Sequence, residues 1–430
     1  MARLKLGILF AILLAAAWAA ATGSPIATAA SGQGRLRFRV LYTASHLPAE
    51  ARKVLPQAHG GFAVDQRPGR GEIYFALKGA GILQISAELS RVRLLETPDE
   101  LKNTNLHNTS IWYTPSGAAY LSFAANEAGR IFTTSLEGKL VHTLPPPAPG
   151  ADLGHPAVND YFAGAGNFVP TDVAELEGWF YITTGYSHLD FVLTARLAAS
   201  DPVRIEWSDL AFGGRGSAPG QFGTGHGVAV PPGTRLIEVA DRPNSEIKRF
   251  TRYGQYLGSL KMPPGSLPCD ISYSGRYAVV PALDGPDRSK GAPIYIFEAG
   301  KLASTILPKE DLGLSNFRHV HHAVLVERNG KLYLIAQAWN PGDFAILEQA
   351  ADYLRPGGTG PGMKPAPAAT LCRNRFRRGR LGEPPSAATF NAIMVSEKNH
   401  NLAVIAIPRC NPRVSANHHR RTLGQNRQSP

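Results

Sequence analysis

Cysteine is scarce. There are three in 430 residues and no Cys-x-x-Cys pair, so the fold cannot rest on a disulfide framework. Cys372 and Cys410 fall near the carboxyl end, where a bond between them is available in an oxidising compartment; Cys269 lies in the body. No Gly-x-Ser-x-Gly elbow and no phosphate-cradling Walker loop occurs. Amphipathic helical stretches do not separate the apolar runs, which argues against a parallel α/β fold. Long apolar runs are also missing, apart from one at the amino end. Leu6–Ala21 carries no charge and follows Arg3 and Lys5, the pattern of an export signal. Ala27-Thr28-Ala29, or the earlier Ala21-Thr22-Gly23, offers a cleavage site. The run is short for a membrane span, so a membrane location is expected only if the signal stays uncleaved. Residues 1–30 are therefore read as a signal peptide, and the mature chain as secreted or periplasmic and monomeric.

Excess charge is missing from the body as well. Of the net +12, two positive charges lie in residues 1–30. Residues 351–430 hold thirteen Lys/Arg against three Asp/Glu, so they supply the other ten and 31–350 is neutral. Basicity confined to an end reads as a solvated tail. The run Arg373–Arg380 has only Phe376 as a stacking aromatic, so no nucleic-acid partner is expected. With its Gly357–Gly362 and Pro365–Pro367 stretches, 351–430 is read as a largely disordered tail, in which only Asn401–Ile407 resembles a strand.

Turn formers are abundant, with 44 glycines and 34 prolines, and short apolar runs recur between them. From His226 the chain reads His-Gly-Val-Ala-Val, a Pro-Pro-Gly turn, Leu236–Ala240, the turn Asp241–Asn244, then Ile247–Phe250, Tyr253–Tyr256 and Leu257–Leu260. Four short strands joined by tight turns make a meander. Similar units begin near 60, 107, 171, 269 and 322. One four-stranded sheet cannot cover both of its faces, whereas six packed radially around an axis can. Residues 31–350 are thus expected to form an all-β, six-bladed β-propeller. Arg35–Val40 alternates charged and apolar residues and is expected to supply the last blade's missing strand, closing the ring.

The stretch Phe222–Gly254, with its Gly-His-Gly-Val-Ala-Val and Val-Ala-Asp-Arg-Pro-Asn segments, resembles an NHL repeat. His107, His226 and His322 share a position in repeats two, four and six. Pro170-Thr-Asp-Val-Ala174 and Tyr181-Ile-Thr-Thr-Gly-Tyr186 lie between them. That order resembles the catalytic core of peptidyl-α-hydroxyglycine α-amidating lyase and the uncharacterised bacterial NHL proteins related to it, over about residues 50–350. The resemblance implies a zinc ion (Zn2+) held by His107, His226 and His322, since three imidazoles with an open fourth position suit catalytic zinc. It also implies Tyr186 as a base or alkoxide stabiliser, Arg242 as a holder of a substrate carboxylate or carbonyl, and Lys78 in place of the family's first-blade arginine. Thr184 replaces an aspartate of the tyrosine turn. Ala323 replaces the acidic calcium ligand, so calcium (Ca2+) is not carried over. No copper monooxygenase domain is present, and amidation itself does not follow. Alignment of Ala323–Val326 with Gly227–Val230 selects His322 over His321, which then points away or supports from outside. Without the resemblance, each histidine reads as a structural residue, Tyr186 as a loop aromatic and Arg242 as part of a turn signature. Two functions remain open: a metal-dependent lyase or hydrolase acting on a small hydroxylated or peptide-like substrate, and a non-catalytic propeller binding a protein or glycan.

Overall fold

The computed structural model describes residues 29–351, 397–398 and 401–402. Six antiparallel sheets of four or five strands form the blades of an all-β propeller. Blade four illustrates the unit: Gly225–Ala229, Leu236–Asp241, Glu246–Thr251 and Tyr256–Lys261 pair in sequence order. The inner strands of blades one, two, three and six are Ala63–Val64, Leu106–Tyr113, Asp172–Leu176 and His319–Arg328. That of blade five is broken into Leu267–Pro268 and Ser272–Ser274, both paired with Tyr277–Asp284.

Alternation along each strand leaves apolar side chains on both sheet faces, and each face packs against the next blade. Six apolar clusters result, one per blade interface. Ile82 and Phe123 share the cluster between blades one and two. Trp112 meets Phe180 between two and three, with ring centres 5.1 Å apart and perpendicular. Tyr181 and Phe250 lie between three and four, Ile247 and Tyr295 between four and five, and Ile294 and Leu334 between five and six. Phe75 stacks on Phe344 at 5.7 Å across the junction of blades six and one.

The ring closes through the amino-terminal strand. Leu36–Thr43 lies antiparallel to Asp343–Gln349, with Phe38 opposite Gln349 and Val40 opposite Leu347. Leu36 and Phe38 are buried and Arg37 is exposed, as the charge–apolar alternation requires. Ser31–Gln33 folds back on this strand as a fifth member. The first and last parts of the body thus share one blade.

The expected signal segment falls almost wholly outside the described residues, as does most of the carboxyl-terminal tail with Cys372 and Cys410. Within the separate unit 356–430, Glu397–Lys398 pairs antiparallel with Asn401–Leu402.

Candidate metal centre

Blades two, four and six carry the same irregularity on their inner strands. In blade two, Leu106 pairs with Ala125 and Thr109 with Phe123. In blade four, Gly225 pairs with Asp241 and Val228 with Val239. In blade six, Val320 pairs with Ala338 and Ala323 with Ala336. Each time, the inner strand spends one residue more than its partner, which is a β-bulge, and a bulge re-aims a side chain. The first bulged residues are His107, His226 and His321, and all three are fully buried.

Their rings converge. His107 Nε2 lies 3.3 Å from His226 Nε2 and 3.1 Å from His321 Nε2. The opposite ring nitrogens are tied to backbone oxygens: His107 Nδ1 to Thr171 O at 2.6 Å, His226 Nδ1 to Cys269 O at 2.7 Å, and His321 Nδ1 to Gly60 O at 2.8 Å. Gly60, Thr171 and Cys269 occupy the matching position in blades one, three and five. Even blades therefore supply imidazoles, and odd blades supply the carbonyls that orient them. A carbonyl only accepts, so each Nδ1 carries the hydrogen and each Nε2 keeps a lone pair.

This corrects the sequence alignment at blade six. His322 follows the bulged residue and belongs to the next layer along the axis, beside Asn108, Asp172 and Asp270. Its Nδ1 accepts from Phe62 N at 3.3 Å, and its Nε2 lies 3.4 Å from Asp270 Oδ2. Asn108 Nδ2 donates to the same oxygen at 2.8 Å, and Val228 N donates to Asp172 Oδ2 at 2.8 Å. The layer is tight because two of its members are glycines. A Cβ at Gly227 would sit 2.4 Å from the Asp270 carboxylate, and one at Gly61 2.4 Å from Asn108 Oδ1. Adjacent residues in a strand face opposite ways, so a one-residue error exchanges a cluster member for a neighbour.

A fourth imidazole joins the cluster, and the sequence reading missed it. His59 Nε2 lies 3.1 Å from His107 Nε2. His59, His107 and His321 offer ligand nitrogens all within 4.8 Å of one another, a set that could hold a metal ion. His59 comes from the loop before blade one's inner strand, after a helix (Ala49–Val54) and a tight turn (Leu55–Gln57). Leu55 and Ala58 pack that turn into the cluster between blades six and one, and Gly342 N donates to Pro56 O at 2.9 Å. Its sequence signal was the His-Gly pair at 59–60, one residue ahead of the shared repeat position.

Tyr186 and Arg242 do reach the cluster. The Tyr186 hydroxyl is 3.0 Å from His226 Nε2 and accepts from Arg242 Nη1 at 3.1 Å. Tyr186 as a residue is 37% exposed, while its hydroxyl points to the cluster. Arg242 is buried, and its Nη2 contacts the buried Cys269 sulfur at 3.0 Å. Its Nε has no hydrogen-bond partner, and no carboxylate forms an ion pair with it among the described residues. Lys78 stands apart, paired with Glu127 at 2.6 Å near the surface. It connects to the cluster only indirectly, since Glu127 also accepts from Asn105 N at 3.3 Å and the Asn105 amide contacts His59.

Burial drives the His107, His226 and His321 imidazoles well below their usual range, and the neighbouring imidazoles and Arg242 push further the same way. His59 is lowered to about 3, by burial first and then by Arg242. The four rings are therefore neutral near pH 7, the form that binds metals. Loss of solvent raises the Tyr186 hydroxyl, against the pull of Arg242.

Fold and site together define a six-bladed β-propeller with a neutral imidazole cluster where its inner strands converge. No family model matches the chain, and no curated protein matches it. Among solved structures it is similar to a gluconolactonase from Xanthomonas campestris, at 14% identity over 75% of this chain and 99% of that one, TM-score 0.44. It is also similar to a streptogramin B lyase, at 12% identity over 68% and 94%, TM-score 0.41. A third is virginiamycin B lyase from Staphylococcus aureus, at 12% identity over 69% and 97%, TM-score 0.42.

Proposed function

We propose that the chain is an exported metalloprotein in which His107, His226 and His321 hold a divalent transition metal, zinc foremost, in support of lyase or hydrolase chemistry. One observation carries the reading. Three imidazoles whose Nδ1 hydrogens are committed to carbonyls bring their Nε2 lone pairs together, His107 lying 3.1 and 3.3 Å from the other two. Two acceptors at that distance repel unless a cation lies between them. Nitrogens bound at 2.0–2.1 Å to a tetrahedral ion stand about 3.3–3.4 Å apart, so the donor chemistry fits and the two separations from His107 match that spacing. When bound, such a metal polarises a substrate oxygen or lowers the pKa of water.

The chain's own groups favour an oxygen-rich, anionic substrate. Arg242 is a buried cation without a carboxylate partner, and its free Nε leaves donor capacity for a substrate carboxylate or developing oxyanion. The Tyr186 hydroxyl, polarised by Arg242, stands where it can donate to or take a proton from a substrate oxygen. The sequence resemblance to the amidating-lyase core, and to NHL repeats generally, supports the same assignment through Tyr186 and Arg242. Export rests on the signal-like segment.

Metal analysis of the purified full chain tests the reading. About one equivalent of transition metal is expected, lost in His107→Ala and His321→Ala. Less than about half an equivalent in the wild type, under non-chelating conditions, would overturn it and leave a propeller that binds a partner without catalysis.

A further inference from the structure

His59 differs from the other three imidazoles in every feature that fixes them. It lies on a loop, and it is half-buried where they are buried. Its Nδ1 meets no backbone carbonyl; its partner is the Asn105 side-chain amide at 3.3 Å. One face stacks on Trp339, with ring centres 5.1 Å apart and planes 28° apart. Yet its Nε2 is as close to His107 Nε2 as that of His321 is, both at 3.1 Å.

Asn105 decides what that nitrogen can do. Its Nδ2 faces both His59 Nδ1 and Asn126 Oδ1, the latter at 3.1 Å. With the NH2 group toward His59, Nδ1 accepts, the ring hydrogen sits on Nε2, and His59 donates to His107. With the amide turned over, Oδ1 accepts from Nδ1–H and the Nε2 lone pair faces the cluster, as in the other three rings. A side-chain amide can turn over; the carbonyls of Gly60, Thr171 and Cys269 cannot.

We propose that His59 is an exchangeable fourth imidazole ligand of this centre, admitted or withdrawn by the orientation of the Asn105 amide, with Trp339 as the flat surface against which the ring rests. A three-histidine centre leaves a coordination position open to any small ligand; His59 occupies it until substrate arrives. The proposal rests on the metal reading above. It involves no change of oxidation state, only exchange of one neutral nitrogen donor for a substrate oxygen.

The test uses the full chain loaded with Co2+, whose visible absorption reports coordination number and donor set. His59→Ala is expected to change that spectrum and to weaken Co2+ binding about tenfold or more in chelator competition, with the thermal melt of the metal-free protein little changed. Asn105→Asp, which can only accept, is expected to hold His59 on the metal, tightening Co2+ binding and reducing the spectral response to added imidazole. Second-sphere changes of this kind alter metal affinity about 10–100-fold. A His59→Ala spectrum and affinity matching wild type, while His226→Ala loses the metal, would overturn the proposal and leave the metal reading intact. So would an Asn105→Asp affinity no higher than wild type. Absence of Co2+ binding by the wild type would remove both.

Discussion

His107 and His321 face each other Nε2 to Nε2 at 3.1 Å, although 214 residues separate them in the chain. Each is held by a carbonyl from the next blade around the ring, Thr171 for His107 and Gly60 for His321. The cluster is thus a property of the closed ring, because no single blade contains both an imidazole and the group that orients it.

The bulge makes a sharp distinction between neighbours. His321→Ala is expected to lose bound metal almost completely, whereas His322→Ala keeps most of it, since His322 is paired with Phe62 N and Asp270 rather than with any of the four clustered imidazoles. Metal content of the two purified variants, measured side by side, decides this. Loss of metal from His322→Ala with retention in His321→Ala would favour the register expected from sequence alone.

Asp270 gives a pH signature. Burial raises its carboxyl from 3.8 to about 7, against hydrogen bonds from Ile271 N and Asn108. A folded-state pKa above the unfolded one means that the contribution to stability is fully present below about 3.8 and is lost as pH rises through about 7. Asn cannot ionise. The melting temperature of Asp270→Asn minus that of wild type is therefore expected to become more positive between pH 4 and pH 7. A difference that stays flat or falls over that range would contradict the assignment.

The Cys269 thiol is fully buried, and burial raises its pKa despite the nearby Arg242. With Cys372 and Cys410 replaced by Ser, the native protein is expected to show no reaction with a thiol reagent over hours, and one thiol per chain in denaturant. Prompt reaction of the folded protein would show that the layer beneath Arg242 opens readily.

Ring closure can be probed through Phe38, which is fully buried between blades five and six. Phe38→Ala is expected to destabilise the protein by about 3–5 kcal/mol, the usual cost of emptying a packed aromatic site. Urea unfolding monitored by tryptophan fluorescence measures it. A loss below about 1 kcal/mol would mean that the amino-terminal strand contributes little to closure.

Much of this molecule is legible in its sequence. Local alternation and turn chemistry mark the repeats, and the period-two pattern at Arg35–Val40 identifies the strand that completes the last blade. Tyr186 and Arg242 were singled out by the resemblance of their turns to the lyase family, and both side chains reach the imidazole cluster. His107 and His226 stood out because they share one position in alternate repeats. His321 was not, because two adjacent histidines both fit the repeat, and only the pairing of Val320 with Ala338 and Ala323 with Ala336 shows which one the bulge turns inward. Lys78, which the resemblance sets in place of a first-blade arginine, is paired with Glu127.

Local pattern along the chain is enough to specify the ring: six short-stranded units, each unable to cover its own faces, with a neutral body between a signal-like segment and a basic tail. Tertiary structure alone decided the site. The imidazoles are oriented by backbone carbonyls of other blades, His59 arrives from a loop seated on the closing junction, and a one-residue bulge selects His321 over His322. Each of these depends on contacts between residues far apart in the chain, and local pattern carries no record of such contacts.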